Sequence, residues 1–341
     1  MTELAVAAGQ PIVLLPPAMP LMTPPRQAAL HRLSGRSMGT NWQLVLVAPP
    51  SVRLPDVATR VQRVLDEQDR QMSHWREDSE LVRFNRLLPG GWLVLPPDFD
   101  SVMRLACELA EASEGAFDPA LGDAIERWGF GPTGRFDSPG FRPDERSSGG
   151  GAWRGLRHDG AGRWQQPGDC RLDLSAIAKG HAVDAVVAAL RSDGHHHLLF
   201  ELGGELRGEG LKPDGQPWWV ALERPPAAVA LPPLRVALTG QAVATSGDYR
   251  QGYLDAHGRW FSHTLDPRTG RPVSHGLASV SVLEACCARA DALATALFVM
   301  GPEDGLRWAE RHGVAAWFVA RDGAHWREWA SPALADWMDE A

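Results

Sequence analysis

Residues 172–205 read Leu-Asp-Leu-Ser-Ala-Ile-Ala-Lys-Gly-His-Ala-Val-Asp-Ala-Val-Val-Ala-Ala-Leu-Arg-Ser-Asp-Gly-His-His-His-Leu-Leu-Phe-Glu-Leu-Gly-Gly-Glu. A short apolar strand ends at Asp173, and Ser175 is placed to cap a helix over residues 175–192. An apolar strand over 198–202 then runs into Gly203-Gly204. Strand, helix and strand in succession would open a doubly wound sheet if the alternation continued. It does not. Upstream, residues 36–48 alternate around Trp42, Leu44 and Leu46 as one strand, and Asp56 opens a helix with Val57, Val61, Val64 and Leu65 on one face. A second helix over 97–113 stops at Gly115. Downstream lie a strand over 280–283, a largely apolar helix over 288–300, and strands 317–320 and 326–329 around the turn Arg321-Asp-Gly323. This irregular mixture predicts an α+β fold of mixed sheets with packed helices. Residues 132–152 and 224–233, rich in Gly, Pro, Ser or Ala, read as surface loops. Residues 1–30 read as a flexible Pro-rich tail and 31–335 as one domain.

The chain has 341 residues, 44% apolar and 22% charged, as expected for a globular protein with a sizeable core. The net charge is −8 and no Lys/Arg-rich run occurs, which argues against a nucleic-acid partner. No run of 18 apolar residues is present, so no transmembrane segment is predicted. The first 25 residues contain no Lys or Arg and are interrupted by six prolines, unlike a secretory signal, and no Cys precedes Cys107 to carry a lipid anchor. Cys107, Cys170, Cys286 and Cys287 form no CxxC pair. These features predict a cytoplasmic protein with reduced thiols, or a periplasmic one if the start is misassigned.

Of the 34 basic residues, all but Lys179 and Lys212 are arginine. A compact ammonium is not interchangeable with a guanidinium at a tight site, so Lys179, at the start of a helix, is a candidate ligand-binding residue. Three other segments could carry chemistry. Gly115-Ala-Phe-Asp-Pro-Ala-Leu-Gly122 combines a turn former with glycines that admit close approach. In Ser262-His-Thr-Leu-Asp-Pro-Arg-Thr-Gly-Arg-Pro272, His263 is a candidate general base or a residue that merely hydrogen-bonds a turn. Asp291 and Thr295 share one face of an apolar helix, where a buried carboxylate and a hydroxyl suit a hard cation such as Mg2+, or where the Asp is satisfied by backbone N–H groups. His195-His-His197 reads as a loop between helix and strand rather than a metal tract.

The order of the segments is more informative than any one of them. Met38-Gly-Thr40, Met72-Ser-His-Trp-Arg-Glu-Asp-Ser-Glu-Leu-Val-Arg-Phe-Asn85, Gly-Ala-Phe-Asp-Pro, Asp-Leu-Ser-Ala-Ile-Ala-Lys-Gly, Ala-Thr-Ser-Gly-Asp-Tyr249, Asp-Pro-Arg-Thr-Gly-Arg-Pro and Ala-Asp-Ala-Leu-Ala-Thr295 follow one another over residues 35–320. This series resembles the ApbE family of FAD:protein FMN transferases. The resemblance implies an ApbE-like α+β fold and a Mg2+-dependent cleavage of the FAD pyrophosphate. The FMN half passes to a threonine of a target flavoprotein, and AMP is released. It implies FAD contacts at Met38, Trp75, Ala116, Phe117, Asp118, Asp173, Lys179 and Leu265. It implies a metal site at Ala176, through its carbonyl, Asp291 and Thr295, with His263 assisting the reaction. Trp75 stands where Tyr is more usual, His181 where an aromatic is common, and Glu201 and Glu205 where Asn and Asp are commoner. An FAD pyrophosphatase giving FMN and AMP, a non-catalytic flavin-delivery protein, and a homodimer stay open on these residues.

Overall fold

The computed structural model describes residues 2–3, 12–16, 23–24, 27–146, 149–228, 231, 233–255, 257–323 and 325–338. Its spine is a nine-stranded sheet. In chain order the strands are β1 (Thr2–Glu3), β2 (Ala29–Ser37), β3 (Thr40–Ala48), β4 (Leu198–Leu202), β5 (Glu205–Glu209), β6 (Ala242–Gly247), β7 (Leu277–Glu284), β8 (Ala315–Asp322) and β9 (His325–Ala330). In space they run β2-β3-β4-β5-β6-β7-β8-β9-β1, every neighbouring pair antiparallel. Apart from β1, which closes the edge beside β9, consecutive strands are therefore adjacent, and the long excursions between them carry the helices. The sheet is thus not doubly wound, and the α+β expectation holds.

The helices are α1 (Leu54–Met72), α2 (Glu80–Asn85), α3 (Pro97–Ala112), α4 (Gly122–Arg127), α5 (Ala178–Ser192), α6 (Cys287–His312) and α7 (Pro332–Ala335). One sheet face packs Trp42, Leu44, Leu46, Leu198 and Phe200 against Val57, Val61 and Leu65 of α1 and Val183, Val186 and Leu190 of α5. Alternate residues Val47, Val243, Trp317 and Val319 point the other way, onto Trp218, Val220, Val236 and Leu238 of a small second sheet. Cover on both faces explains why β7 is buried along nearly its whole length instead of alternating.

Two sequence expectations need correction. Residues 36–48 are not one strand but a hairpin, because Met38 (φ 48°) and Gly39 (φ 73°) form a left-handed two-residue turn between β2 and β3. Ser175 does not cap α5: the helix starts three residues later with Ile177 at the cap position and no side-chain cap. The apolar helix ends at Met300 as expected, because Gly301 (φ 83°, ψ −179°) leaves the helical conformation before Pro302; α6 is two helices joined across this kink, the second reaching His312. Two described pieces of the segment expected to be a tail join the domain. Thr2–Glu3 extends the large sheet, and buried Ile12 and Leu14 pair in parallel with Leu234 and Val236.

This topology gathers the motifs. The insertion between β3 and β4 carries α1 to α5, the β6–β7 connection carries His263, and the β7–β8 connection is α6.

Candidate functional site

Helices α5 and α6 meet at their N-terminal ends, and Gly180 makes that possible. A Cβ at position 180 would lie 2.4 Å from the Cys287 carbonyl oxygen and 2.9 Å from the Ala288 Cα, both backbone. With no side chain there, the first turns of the two helices touch. The Gly180 N–H donates to Asp291 Oδ2 at 3.0 Å. In a regular helix that N–H would go to the Ala176 carbonyl. Among the described residues no hydrogen bond to the Ala176 carbonyl is present, so this oxygen stays available beside the carboxylate. Asp184, one turn further along α5, caps α6: its Oδ2 accepts from the Ala288 N–H at 2.9 Å and its Oδ1 pairs with Arg207 at 2.5 Å. Its role is structural.

Asp291 is 5% exposed. Burial pushes its carboxyl above the usual carboxylate range, while the Lys179 charge and the Gly180 N–H pull the other way. One turn on, Thr295 Oγ1 is 2.9 Å from Ser246 Oγ of β6. The i,i+4 pair expected from sequence therefore lies on one face, toward β6 and the start of α5.

Lys179 has a partner the sequence did not reveal. Its Nζ lies 2.5 Å from Glu205 Oε1 at the start of β5. Glu205 is 3% exposed, and its Oε2 is buried with no hydrogen-bond partner. Burial raises this carboxyl to about 7, with Lys179 opposing and Asp291 adding to the rise. The centre thus sets two buried carboxylates against one ammonium, and one buried carboxylate oxygen is orphaned. An environment short of positive charge, with a carboxylate, a hydroxyl and a free carbonyl as oxygen donors, fits a hard divalent cation such as Mg2+. Among the described residues no group of three or more His, Cys, Asp or Glu is placed to hold a metal ion. His197 instead accepts the Leu211 N–H at 3.0 Å through Nδ1.

His263 follows the strand Trp260–Ser262. Its Nδ1 is 3.1 Å from the Gln251 carbonyl. That acceptor requires the proton on Nδ1 and leaves Nε2 as the basic nitrogen. Burial lowers its pKa below the ordinary value, and the Lys179 charge lowers it further. His263 is therefore neutral and able to accept a proton near pH 7.

The other expected residues form the surroundings. Asp118 Oδ1 accepts from Ala120 N at 2.7 Å and its Oδ2 from Gly151 N at 2.7 Å. The Gly150 N–H donates to the Pro267 carbonyl at 2.7 Å. The glycines at 149–151 are thus more than a surface loop: they strap the Phe117-Asp118 turn to the Asp266-Pro267 turn. Ala116 is buried, and Phe117 and Leu265 are buried in core clusters, so their side chains are largely covered by the protein itself. Met38 occupies the β2–β3 turn, packed against both large core clusters. Trp75 is 50% exposed, with the Arg135 guanidinium 5.3 Å from its ring centre.

Asp173 is buried, and its Oδ2 lies 2.7 Å from His74 Nδ1. His74 escaped sequence reading, although it sits in the Met72-Ser-His-Trp run beside Trp75. Glu205 was legible only as a departure from a family pattern, because a buried ion pair across strand and helix leaves no local signal.

Comparison with known proteins places the chain in a family. The model of the ApbE family matches residues 38–318. A Vibrio cholerae protein named FAD:protein FMN transferase is 35% identical over 312 residues, covering 90% of this chain and 92% of the relative. The Escherichia coli K12 protein of that name is 31% identical over 311 residues, covering 88% and 87%. The crystal structure of the apo form of Pseudomonas stutzeri flavinyl transferase ApbE superposes with a TM-score of 0.82 at 35% identity, covering 95% of this chain and 100% of that one. The Vibrio cholerae flavin transferase ApbE gives 0.81 at 34% identity, covering 91% and 99%.

Proposed function

The chain belongs to the ApbE family, and we propose how it works as an FAD:protein FMN transferase: with Mg2+, on a threonine of a target flavoprotein. The hydroxyl oxygen of that threonine attacks the FMN-side phosphorus of FAD. A phosphoester bond forms, the bond from that phosphorus to the bridging oxygen breaks, and AMP leaves with the bridging oxygen. His263 Nε2 takes the hydroxyl proton; its Nδ1 is already held by the Gln251 carbonyl. Asp291, Thr295 and the Ala176 carbonyl would hold Mg2+, which would supply positive charge to stabilise the charge that develops as the pyrophosphate is cleaved. Lys179, fixed by Glu205, keeps its ammonium between the carboxylates and the flavin nucleotide. Trp75 offers a flat, half-exposed ring for the isoalloxazine.

The observation that carries this reading is the junction of α5 and α6. There, Gly180 gives its N–H to the buried Asp291 carboxylate instead of to the Ala176 carbonyl, and Thr295, one turn along α6 from Asp291, meets Ser246 of β6. The test is incubation with FAD, Mg2+ and a candidate flavoprotein. Transfer gives a flavin-fluorescent target band on a denaturing gel and one AMP per label. FMN and AMP without a labelled target would mean that water replaces threonine, and unchanged FAD would mean binding only.

A further inference from the structure

His74 has a hydrogen-bonding end that nothing among the described residues satisfies. Its Nδ1 lies 2.7 Å from Asp173 Oδ2 and 3.3 Å from Ser175 Oγ, while Asp173 Oδ1 accepts the Ser175 N–H at 2.9 Å. The imidazole side chain is only 14% exposed. Its Nε2 is cut off from solvent and has no hydrogen-bond partner. The ring leans on Trp75, with centroids 5.0 Å apart. His74 thus touches two residues that the site reading assigns to FAD, Trp75 through a ring contact and Asp173 through a hydrogen bond. A buried nitrogen left without a partner between them is costly unless a ligand supplies one.

We propose that His74 is a specificity-determining residue for the flavin nucleotide: it locks Trp75 to Asp173 and donates its Nε2–H to an acceptor atom of bound FAD. This rests on the reading that FAD lies between Trp75 and Asp173. The donor role needs a proton on both ring nitrogens, or on Nε2 alone with Nδ1 against a protonated Asp173. Asp173 decides in favour of the imidazolium. Burial opposes the charge, but the hydrogen bond and charge of Asp173 outweigh it, with Glu126 adding and Arg171 subtracting, so the pKa rises. The Asp173 carboxyl is held below its usual range, burial being outweighed by His74 and the Ser175 contacts. Glu126 and Arg171 pair with each other at 2.8 Å, which leaves Asp173 as the partner of His74.

The test is FAD titration of the full chain by flavin fluorescence, from about pH 5.5 to about pH 8.5, across the range where histidines titrate. Wild type, His74→Ala and His74→Gln are compared, with the melting temperature of each measured without FAD. A charge-assisted hydrogen bond predicts roughly tenfold weaker binding by His74→Ala at the acid end. It also predicts that the wild-type affinity falls as pH rises and that this slope disappears in both variants. His74→Gln, which keeps a donor, recovers part of the affinity without the slope and serves if the alanine variant is unfolded. An alanine variant that binds like wild type overturns the proposal. So does weaker binding that keeps the wild-type pH slope, since that is a purely structural effect. Trp75→Ala separates the two readings. If it and His74→Ala both bind FAD like wild type, FAD lies elsewhere; if only Trp75→Ala weakens binding, the site stands and His74 has no part in it.

Discussion

Gly180→Ala puts a methyl group in place of a hydrogen at the α5–α6 crossing, and the structure dictates a large effect. The new Cβ would sit 2.4 Å from the Cys287 carbonyl oxygen, 2.7 Å from its carbonyl carbon and 2.9 Å from the Ala288 Cα. All three are backbone atoms in the first turn of α6, so no rotamer change relieves the contact. The helices must separate, at about 1–3 kcal/mol for overpacking. Separation also breaks the Gly180 N–H bond to the buried Asp291 carboxylate, at about 1.5–3 kcal/mol for a bond to a charged group. The two effects together come to roughly 2.5–6 kcal/mol. With an unfolding entropy near 2.1 cal/mol/K per residue, that lowers Tm by about 3–8 °C in a chain of 341 residues. Asp291 also loses its orientation, so FMN transfer at saturating FAD should fall by at least about tenfold, the equivalent of one lost oriented contact. Differential scanning fluorimetry and the fluorescent-target assay measure both quantities. Gly240→Ala is the control, because a Cβ there meets nothing within 4 Å and the backbone is not left-handed. If Gly180→Ala melts and transfers like Gly240→Ala, the account of the helix junction is refuted.

Three further outcomes are expected. Asp291→Asn should abolish transfer yet leave Tm unchanged or raised. The carboxylate is buried against its preference, and an amide oxygen can still accept the Gly180 N–H, so a loss of several degrees would contradict the reading. His263, whose pKa is lowered by burial and by Lys179, should stay an effective base at neutral pH, with kcat falling only below its ordinary titration range; His263→Ala should remove that acid limb and slow transfer about 10²–10⁴-fold. The His74–Asp173 pair should stabilise the fold in a window of pH. The raised His74 pKa contributes below the ordinary histidine value and is lost as pH rises through the raised one. The lowered Asp173 pKa contributes above the ordinary aspartate value and is lost as pH falls through the lowered one. Chemical denaturation of wild type and His74→Ala across that window, without FAD, should converge at both ends.

The sequence disclosed what depends on local chemistry. Asp291 and Thr295 share a helix face because four residues make about one turn, and the structure keeps them together. The strand over 198–202 and its Gly-Gly exit appear as β4 and the β4–β5 turn. Features decided by tertiary contact stayed hidden. The Met38-Gly39 turn interrupts an alternation that continues on both sides of it, so residues 36–48 look like one strand. The start of α5 is set by the bond from Gly180 to a residue 111 positions away rather than by a capping side chain, so Ser175 misled. The Lys179–Glu205 pair joins a helix start to a strand that follows it by a whole connection, and no periodicity encodes it.

The distribution of the site along the chain follows from the sheet. In an antiparallel sheet of sequential neighbours, each connection leaves and re-enters at adjacent strands, so insertions of any length emerge at the sheet's ends without disturbing the ladder. Residues 49–197, 248–276 and 285–314 are such excursions, and each contributes one part: the ring of Trp75 with Asp173 and the start of α5, the base His263, and the carboxylate of α6. Two fixed points hold the parts in register. Gly180 joins α5 to α6, and Asp118 with the glycines at 150 and 151 joins the first excursion to the second. Neither join involves the groups assigned to chemistry except Asp291. A substitution at Gly150, where a Cβ would lie 2.7 Å from the Pro267 carbonyl oxygen and 2.8 Å from Asp118 Oδ2, should therefore move the His263 loop away from Asp291 without altering either residue. Such a change would slow transfer by more than any loss of FAD affinity through Asp118 explains, separating the placement of the base from the binding of the nucleotide.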